Sequence, residues 1–180
     1  MKNKNFKIVV VNGFPGAGKT SFETLCQWIL TPKYCTMRST VDEVKRIAKE
    51  CGWNDTKDAK SRKFLSDLKD LLTEFNDLPF KDIATYAENY ENYLAHMGFS
   101  NHPHILFVDA REPEGIQKLK NELGAVTLLI RRLDAENNFQ SNHADQNVLN
   151  YKYDYVINND GTIDELAYKA RNFISELFGK

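Results

Sequence analysis

The chain of 180 residues is the size of one domain, or of one domain carrying a small insertion. Its 24 basic and 25 acidic side chains nearly cancel, so bulk charge argues against nucleic acid or a membrane surface as a partner, and 42% hydrophobic residues leave ample material for a core. Cys26, Cys35 and Cys51 are odd in number and form no CxxC, which fits a reduced, cytoplasmic chain, and no stretch is apolar for long enough to span a bilayer.

The start, MKNKNFKIVVVNG, is basic and then apolar, like a secretion signal. The apolar run is too short, however, and glycines interrupt it at once, so FKIVVV reads as a strand buried on both faces. A glycine-rich loop follows, and then a helix from about Lys19 to Leu30, broken by TPK. YCTMR is a second strand. Thr40 opens TVDE, a capping-box pattern with Glu43, and Val41, Val44, Ile47 and Ala48 give the next helix one apolar face. A longer helix is expected from Thr56 to Phe75, with Phe64, Leu65, Leu68, Leu71, Leu72 and Phe75 as a buried stripe and with Arg62 and Lys69 near one another on one face. After NDLPF comes a helix bearing Ile83, Tyr86, Tyr90, Tyr93, Leu94 and Met97.

HPHILFVD reads as a buried strand ending at Asp109. EPEGIQKLKNELG is a helix with Pro113 near its start and Gly124 beyond its end, and AVTLLIRR is another strand. Residues 133–150 are polar without a period and read as a mobile loop. YDYVINNDG gives a last strand and turn, and TIDELAYKARNFISELF a closing helix. Strands alternating with helices imply a parallel sheet covered on both faces, and ligands of such sheets sit at the strands' carboxyl ends. The glycine loop, Asp109, Arg111, Arg131, Arg132 and Asn158 all fall at such ends. His102 and His104 flank Pro103 without a third metal ligand nearby and read as a loop.

Residues 13–20 fit G-x-x-x-x-G-K-[ST], the P-loop pattern, between a strand and a helix. Backbone N–H groups of such a loop, with Gly13, Gly16, Ala17, Gly18 and Ser21, converge on a phosphate. Lys19 reaches the outer phosphates, and Thr20 ligates a magnesium ion. Asp109 closes its apolar run like a carboxylate that holds magnesium through water, or that accepts from a substrate or caps the next helix. Arg62 and Arg111 are candidates for gripping an acceptor phosphate, since a guanidinium fork matches phosphate bidentately, and Lys69 is a further candidate. An ordinary solvated face for Arg62 and Lys69, and a local ion pair for Arg111, remain open.

GFPGAGKT resembles the loop of nucleoside monophosphate kinases, in which G-x-P-G-x-G-K is common. FVDAREPEGI resembles the D-x-R segment ending the third strand in deoxynucleoside monophosphate kinases and animal-type phosphomevalonate kinases. SRKFLSDLKD resembles their arginine-bearing substrate helix. GAVTLLIRR, the SNHADQN loop and YDYVINNDGTIDEL follow in that group's order, so the resemblance covers nearly the whole chain; the closing segment is shared with dephospho-CoA kinases. In the family the loop often carries histidine followed by a Ser-Glu pair. Here it reads His143-Ala144-Asp145-Gln146, which leaves His143 and Asp145 without an assigned role.

The resemblance implies a single three-layer α/β P-loop NTPase domain with a central parallel sheet, a helical acceptor-binding region at about 39–100 and a short lid at about 133–150. It implies ATP and Mg2+ as cofactors and a phosphotransferase acting on a small phosphorylated acceptor. A nucleoside or deoxynucleoside monophosphate is the first reading, with phosphomevalonate or dephospho-CoA as the alternative. In the implied site Lys19, Asp109 and Arg111 serve catalysis. One of Arg131 and Arg132 covers the adenine while the other, with Arg132 as the catalytic candidate, meets the transferring phosphate, and Asn158 borders the adenine. Two exposed charges at a strand end and a plain turn are the open alternatives for these last residues. A non-catalytic nucleotide switch is the reading from another class, weakened by the lack of a guanine-reading N-K-x-D motif. Monomer and homodimer are both open.

Overall fold

A computed structural model describes residues 3–31, 34–138 and 147–179. Five strands form one sheet: β1 (Phe6–Asn12), β2 (Cys35–Ser39), β3 (His104–Asp109), β4 (Val126–Arg131) and β5 (Tyr155–Asn158). Every pairing is parallel and the order is β2-β3-β1-β4-β5, so β1 lies in the middle. The helices are α1 (Lys19–Leu30), α2 (Asp42–Glu50), α3 (Ala59–Asn76), α4 (Leu78–His96), α5 (Pro113–Leu123), α6 (Leu133–Asn137) and α7 (Ile163–Phe178).

The alternation within β1 divides the core. Val9 and Val11 point to one face, where they join Phe22 and Cys26 of α1 with Phe173 and Leu177 of α7. Ile8 and Val10 point to the other, against Ile83 and Ala87 of α4 and Ile116 and Leu119 of α5. The result is an α/β architecture of three layers, as the sequence pattern predicts. Among the described residues no helix is long and apolar enough to cross a membrane.

Several local expectations are corrected. Thr40 does not cap α2. Its backbone N–H and hydroxyl both donate to the Asp109 carbonyl, at 3.1 and 3.3 Å, which prolongs the β2–β3 edge and delays the helix to Asp42. The long helix starts at Ala59 rather than Thr56, because the Asp58 side chain accepts from the Ser61 N–H. Its expected buried stripe is not buried. No residue of α3 is fully covered, and Leu71 and Phe75 are 62% and 81% exposed, because α3 lies over other helices and not on the sheet. The following helix begins earlier than expected, at Leu78, since Pro79 is tolerated in a first turn. The span 133–150 is not all loop: α6 occupies its start and a 3-10 turn at Val148–Asn150 its end. Residues 139–146, with His143 and Asp145, lie outside the described residues. His104 is buried, its Nε2 3.0 Å from the Phe99 carbonyl, and packs edge-on against Tyr34.

Candidate functional site

The loop between β1 and α1 is pinned by groups that close contact with the sheet selects. Gly13 has φ 151, and a Cβ there would sit 2.3 Å from the Ile130 carbonyl oxygen. Gly18 has φ 94, and a Cβ there would meet the Asn159 side-chain nitrogen at 2.2 Å. Buried Asn12 accepts from the Gly13 N–H at 2.8 Å and donates to the Arg111 carbonyl and the Tyr153 hydroxyl, at 3.2 and 2.8 Å. Asn159 donates to the Ala17 carbonyl at 2.9 Å. The loop is thus tied to the ends of β3, β4 and β5. Helix α1 starts directly at Lys19 with no side-chain cap, which leaves its first N–H groups facing outward where an anion is favoured.

Two cavities open at this rim. The first, about 450 Å³, is lined by Gly16, Gly18, Lys19, Thr20, Ser21 and Arg132, with Asn159, Gly161, Ile163 and Leu166 on its far wall. The second, about 620 Å³, lies between the sheet rim and α2–α3 and carries Arg38, Lys45, Lys69 and Arg111 as cations against Glu23, Asp42, Asp109 and Glu112. Met37, Val41, Val44 and Leu65 give it an apolar wall. Lys19 and Thr20 line both. The Lys19 ammonium donates to the loop carbonyls of Gly13 and Phe14, at 2.7 and 3.2 Å, which places it at the mouth of the loop.

The charged groups of the larger cavity differ in what holds them. Lys69 pairs with Glu112. The Arg38 guanidinium lies 4.0 Å from the centre of the Tyr86 ring, whose hydroxyl is 2.9 Å from the Thr36 hydroxyl, so one face of Arg38 is covered by an anchored aromatic. Burial raises the Asp109 carboxyl above its usual range, against the lowering effect of Lys19 and Arg111. Glu23, one turn along α1 from Lys19, is only 2% exposed; burial first, and the Asp109 charge second, push its carboxyl up to about 8. The thiols of Cys26 and Cys35 are likewise raised by burial, Cys35 to about 12, so neither is a nucleophile.

Of the residues expected at the site, the structure brings Lys19, Thr20, Lys69, Asp109 and Arg111 to one cavity. Gly16, Gly18, Ser21 and Arg132 line the other, and Gly13 and Ala17 are buried in the loop itself. Arg131 is engaged by Glu136 through two hydrogen bonds of 2.8 Å. Asn158 is exposed and gives its carbonyl to Lys169, while the buried residue of that turn is its neighbour Asn159. Arg62 is exposed on α3 and lines neither cavity. The sequence reading passed over Glu23, Arg38, Asp42 and Lys45. Glu23 carries the one available signal, a carboxylate between Phe22 and Cys26 on the apolar face of a helix.

The donor set fits a hard cation. Asp109 Oδ1 and Glu23 Oε1 are buried and have no hydrogen-bond partner, and the Thr20 hydroxyl is on the same wall. Among the described residues no group of three or more His, Cys, Asp or Glu is gathered to hold a metal, so a cation bound there would need hydroxyl, phosphate or water oxygens to complete its shell.

Sheet order, loop and helix start together define a P-loop α/β fold. No protein-family model matches the chain. Among solved structures it is similar to an APS kinase of Mycobacterium tuberculosis in complex with AMPPNP and APS, at 15% identity over 98% of this chain and 99% of that chain with a TM-score of 0.48. It is also similar to a shikimate kinase of Aquifex aeolicus (12%, 94% and 96%, 0.49) and to a thymidylate kinase of Candida albicans (11%, 96% and 92%, 0.47). Each likeness runs over nearly the full length at low identity, and none assigns a substrate to this chain.

Proposed function

We propose that the chain is an ATP-dependent kinase that moves a γ-phosphoryl group to a small phosphorylated acceptor, a nucleoside or deoxynucleoside monophosphate. The observation that carries this reading is the junction of the two cavities at Lys19 and Thr20. Phosphoryl transfer needs donor and acceptor in line across one charged point, and little covalent chemistry from the protein.

In this reading the smaller cavity takes ATP, with its phosphates on the loop and the start of α1. The larger cavity takes the acceptor. Arg111, Arg38 and Lys45 draw its phosphate toward Lys19, and the wall of Met37, Val41, Val44 and Leu65 supports a flat apolar body such as a base. An acceptor phosphate oxygen attacks the γ-phosphorus, the bond to the β–γ bridging oxygen breaks, and ADP leaves. Lys19 follows the charge that moves between them, and Arg132 approaches from the nucleotide side. Thr20 and Asp109 would hold a magnesium ion, which would supply further charge neutralisation when bound.

The test is ADP release from ATP and magnesium with a panel of ribo- and deoxynucleoside monophosphates, phosphomevalonate and dephospho-CoA. Stimulation by one or more nucleoside monophosphates is expected. Stimulation by phosphomevalonate or dephospho-CoA alone would reassign the acceptor, and stimulation by none would end the kinase reading.

A further inference from the structure

Glu23 has no role in the mechanism above, yet it is one of the most deeply buried ionisable groups near the site. Its neighbours Phe22 and Cys26 belong to the core, and an apolar residue would suit the helix pattern at its position equally well. Its Oε1 has no hydrogen-bond partner, and neither has Oδ1 of Asp109, which reaches the same cavity from the end of β3. Two unsatisfied buried acceptors on residues that line one cavity call for a shared donor or cation. The Lys19 charge favours the ionised form of both carboxyls, and Arg111 and Lys45 favour that of Asp109. Yet the Lys19 ammonium donates to the loop carbonyls of Gly13 and Phe14, and neither Glu23 Oε1 nor Asp109 Oδ1 accepts a hydrogen bond.

We propose that Glu23 and Asp109 together hold a divalent cation, with the Thr20 hydroxyl beside them, so that the protein carries its own cation site beneath the phosphate loop before nucleotide arrives. A dication between the carboxylates removes their mutual repulsion and satisfies both oxygens. All the donors are oxygens, and the nearby thiols of Cys26 and Cys35 are held protonated by burial, so the site selects hard ions such as Mg2+ or Mn2+ over zinc. Lys19, Arg111 and Lys45 face the same space and keep the affinity moderate. Use of this cation in phosphoryl transfer rests on the kinase reading; the cation site does not.

The experiment is a Mn2+ titration of the nucleotide-free full chain, followed by electron paramagnetic resonance of free Mn2+. The wild type is expected to bind one Mn2+ that Mg2+ displaces. Glu23→Gln and Asp109→Asn are each expected to weaken that binding by at least about tenfold. Glu23→Gln keeps the shape of the side chain, and its circular dichroism and melting temperature in EDTA report whether it folds. As a second measurement, Mn2+ should raise the melting temperature of the wild type and not that of either variant. A smaller loss in Glu23→Gln, or no binding by the wild type up to millimolar Mn2+, overturns the proposal. Titration with a fluorescent ATP analogue in excess Mg2+ separates the two ideas: a wild type that fails to bind it there sinks the kinase reading and leaves the Mn2+ result standing.

Discussion

The two cavities that meet at Lys19 are built from different materials. The smaller one is backbone: loop amides, the uncapped start of α1 and the turn after β5, locked to the sheet through Asn12, Asn159 and two glycines that allow no Cβ. The larger one is side chain. Its charges come from α1, β2, α2, α3 and the end of β3 with the loop that follows, and α3 itself buries no residue completely. A backbone site is rigid and recognises what all nucleotides share, their phosphates. A side-chain site on loosely packed helices can be retuned by single substitutions, which suits a specificity pocket.

Substitutions should separate the two. Lys19→Ala touches both cavities and has the largest expected effect, a loss of turnover of at least about a hundredfold with little change in melting temperature. Steady-state kinetics and a thermal melt check both parts. Glu23→Gln, at the floor of the larger cavity, should act on stability. The Glu23 carboxyl titrates near 4.5 when unfolded and near 8 when folded, so folding takes up a proton between those values. The stability held by the neutral form is complete below about pH 4.5 and is lost as the pH rises to about 8. In EDTA the glutamine variant should therefore match the wild type near pH 4.5 and exceed it by on the order of 2 kcal/mol at pH 8, read by denaturant unfolding.

Gly13→Ala should damage the backbone cavity selectively. The methyl group meets a carbonyl oxygen that cannot swing aside, and a loss of about 2 kcal/mol in stability with weaker ATP binding is expected from unfolding and nucleotide titration. Arg38→Ala and Arg111→Ala should do the reverse. Each should raise the acceptor KM by about tenfold while the ATP KM stays within about twofold. Arg62→Ala, on the outer face of α3, should change neither by more than about twofold. An equal effect on ATP from Arg38→Ala would mean that the two cavities are not functionally distinct.

The same contrast decides what the sequence reveals. The loop, the parallel sheet and the placement of Asp109 and Arg111 follow from short-range patterns, because the chemistry is fixed by neighbours in the chain. Arg38 and Lys45 become visible only once α2 and α3 are folded over the rim, since nothing in their local sequence marks them, whereas Glu23 is marked only as a carboxylate on the apolar face of α1. Two nearly identical segments make the point. TVDE at 40–43 and TIDE at 162–165 carry the same capping pattern. At Thr162 the capping box forms, with the Glu165 N–H donating to the threonine hydroxyl at 3.3 Å. At Thr40 the neighbouring β3 edge takes the threonine, and Arg46 takes Glu43. Propensity was equal, and tertiary hydrogen bonding chose. The stripe of α3 fails for a related reason: helical period says which residues share a face, not whether anything covers it.

The central claim is that one point, Lys19, joins a nucleotide cavity to an acceptor cavity. Its most direct test is calorimetric titration with a bisubstrate analogue in which adenosine and a second nucleoside are linked through five phosphates. One molecule should bind per chain, at least about a hundredfold more tightly than ATP, because the second half binds at high effective concentration. It should exclude both ATP and the acceptor, and lose that advantage in Arg111→Ala. An analogue that binds no more tightly than ATP and leaves acceptor binding untouched would contradict the account.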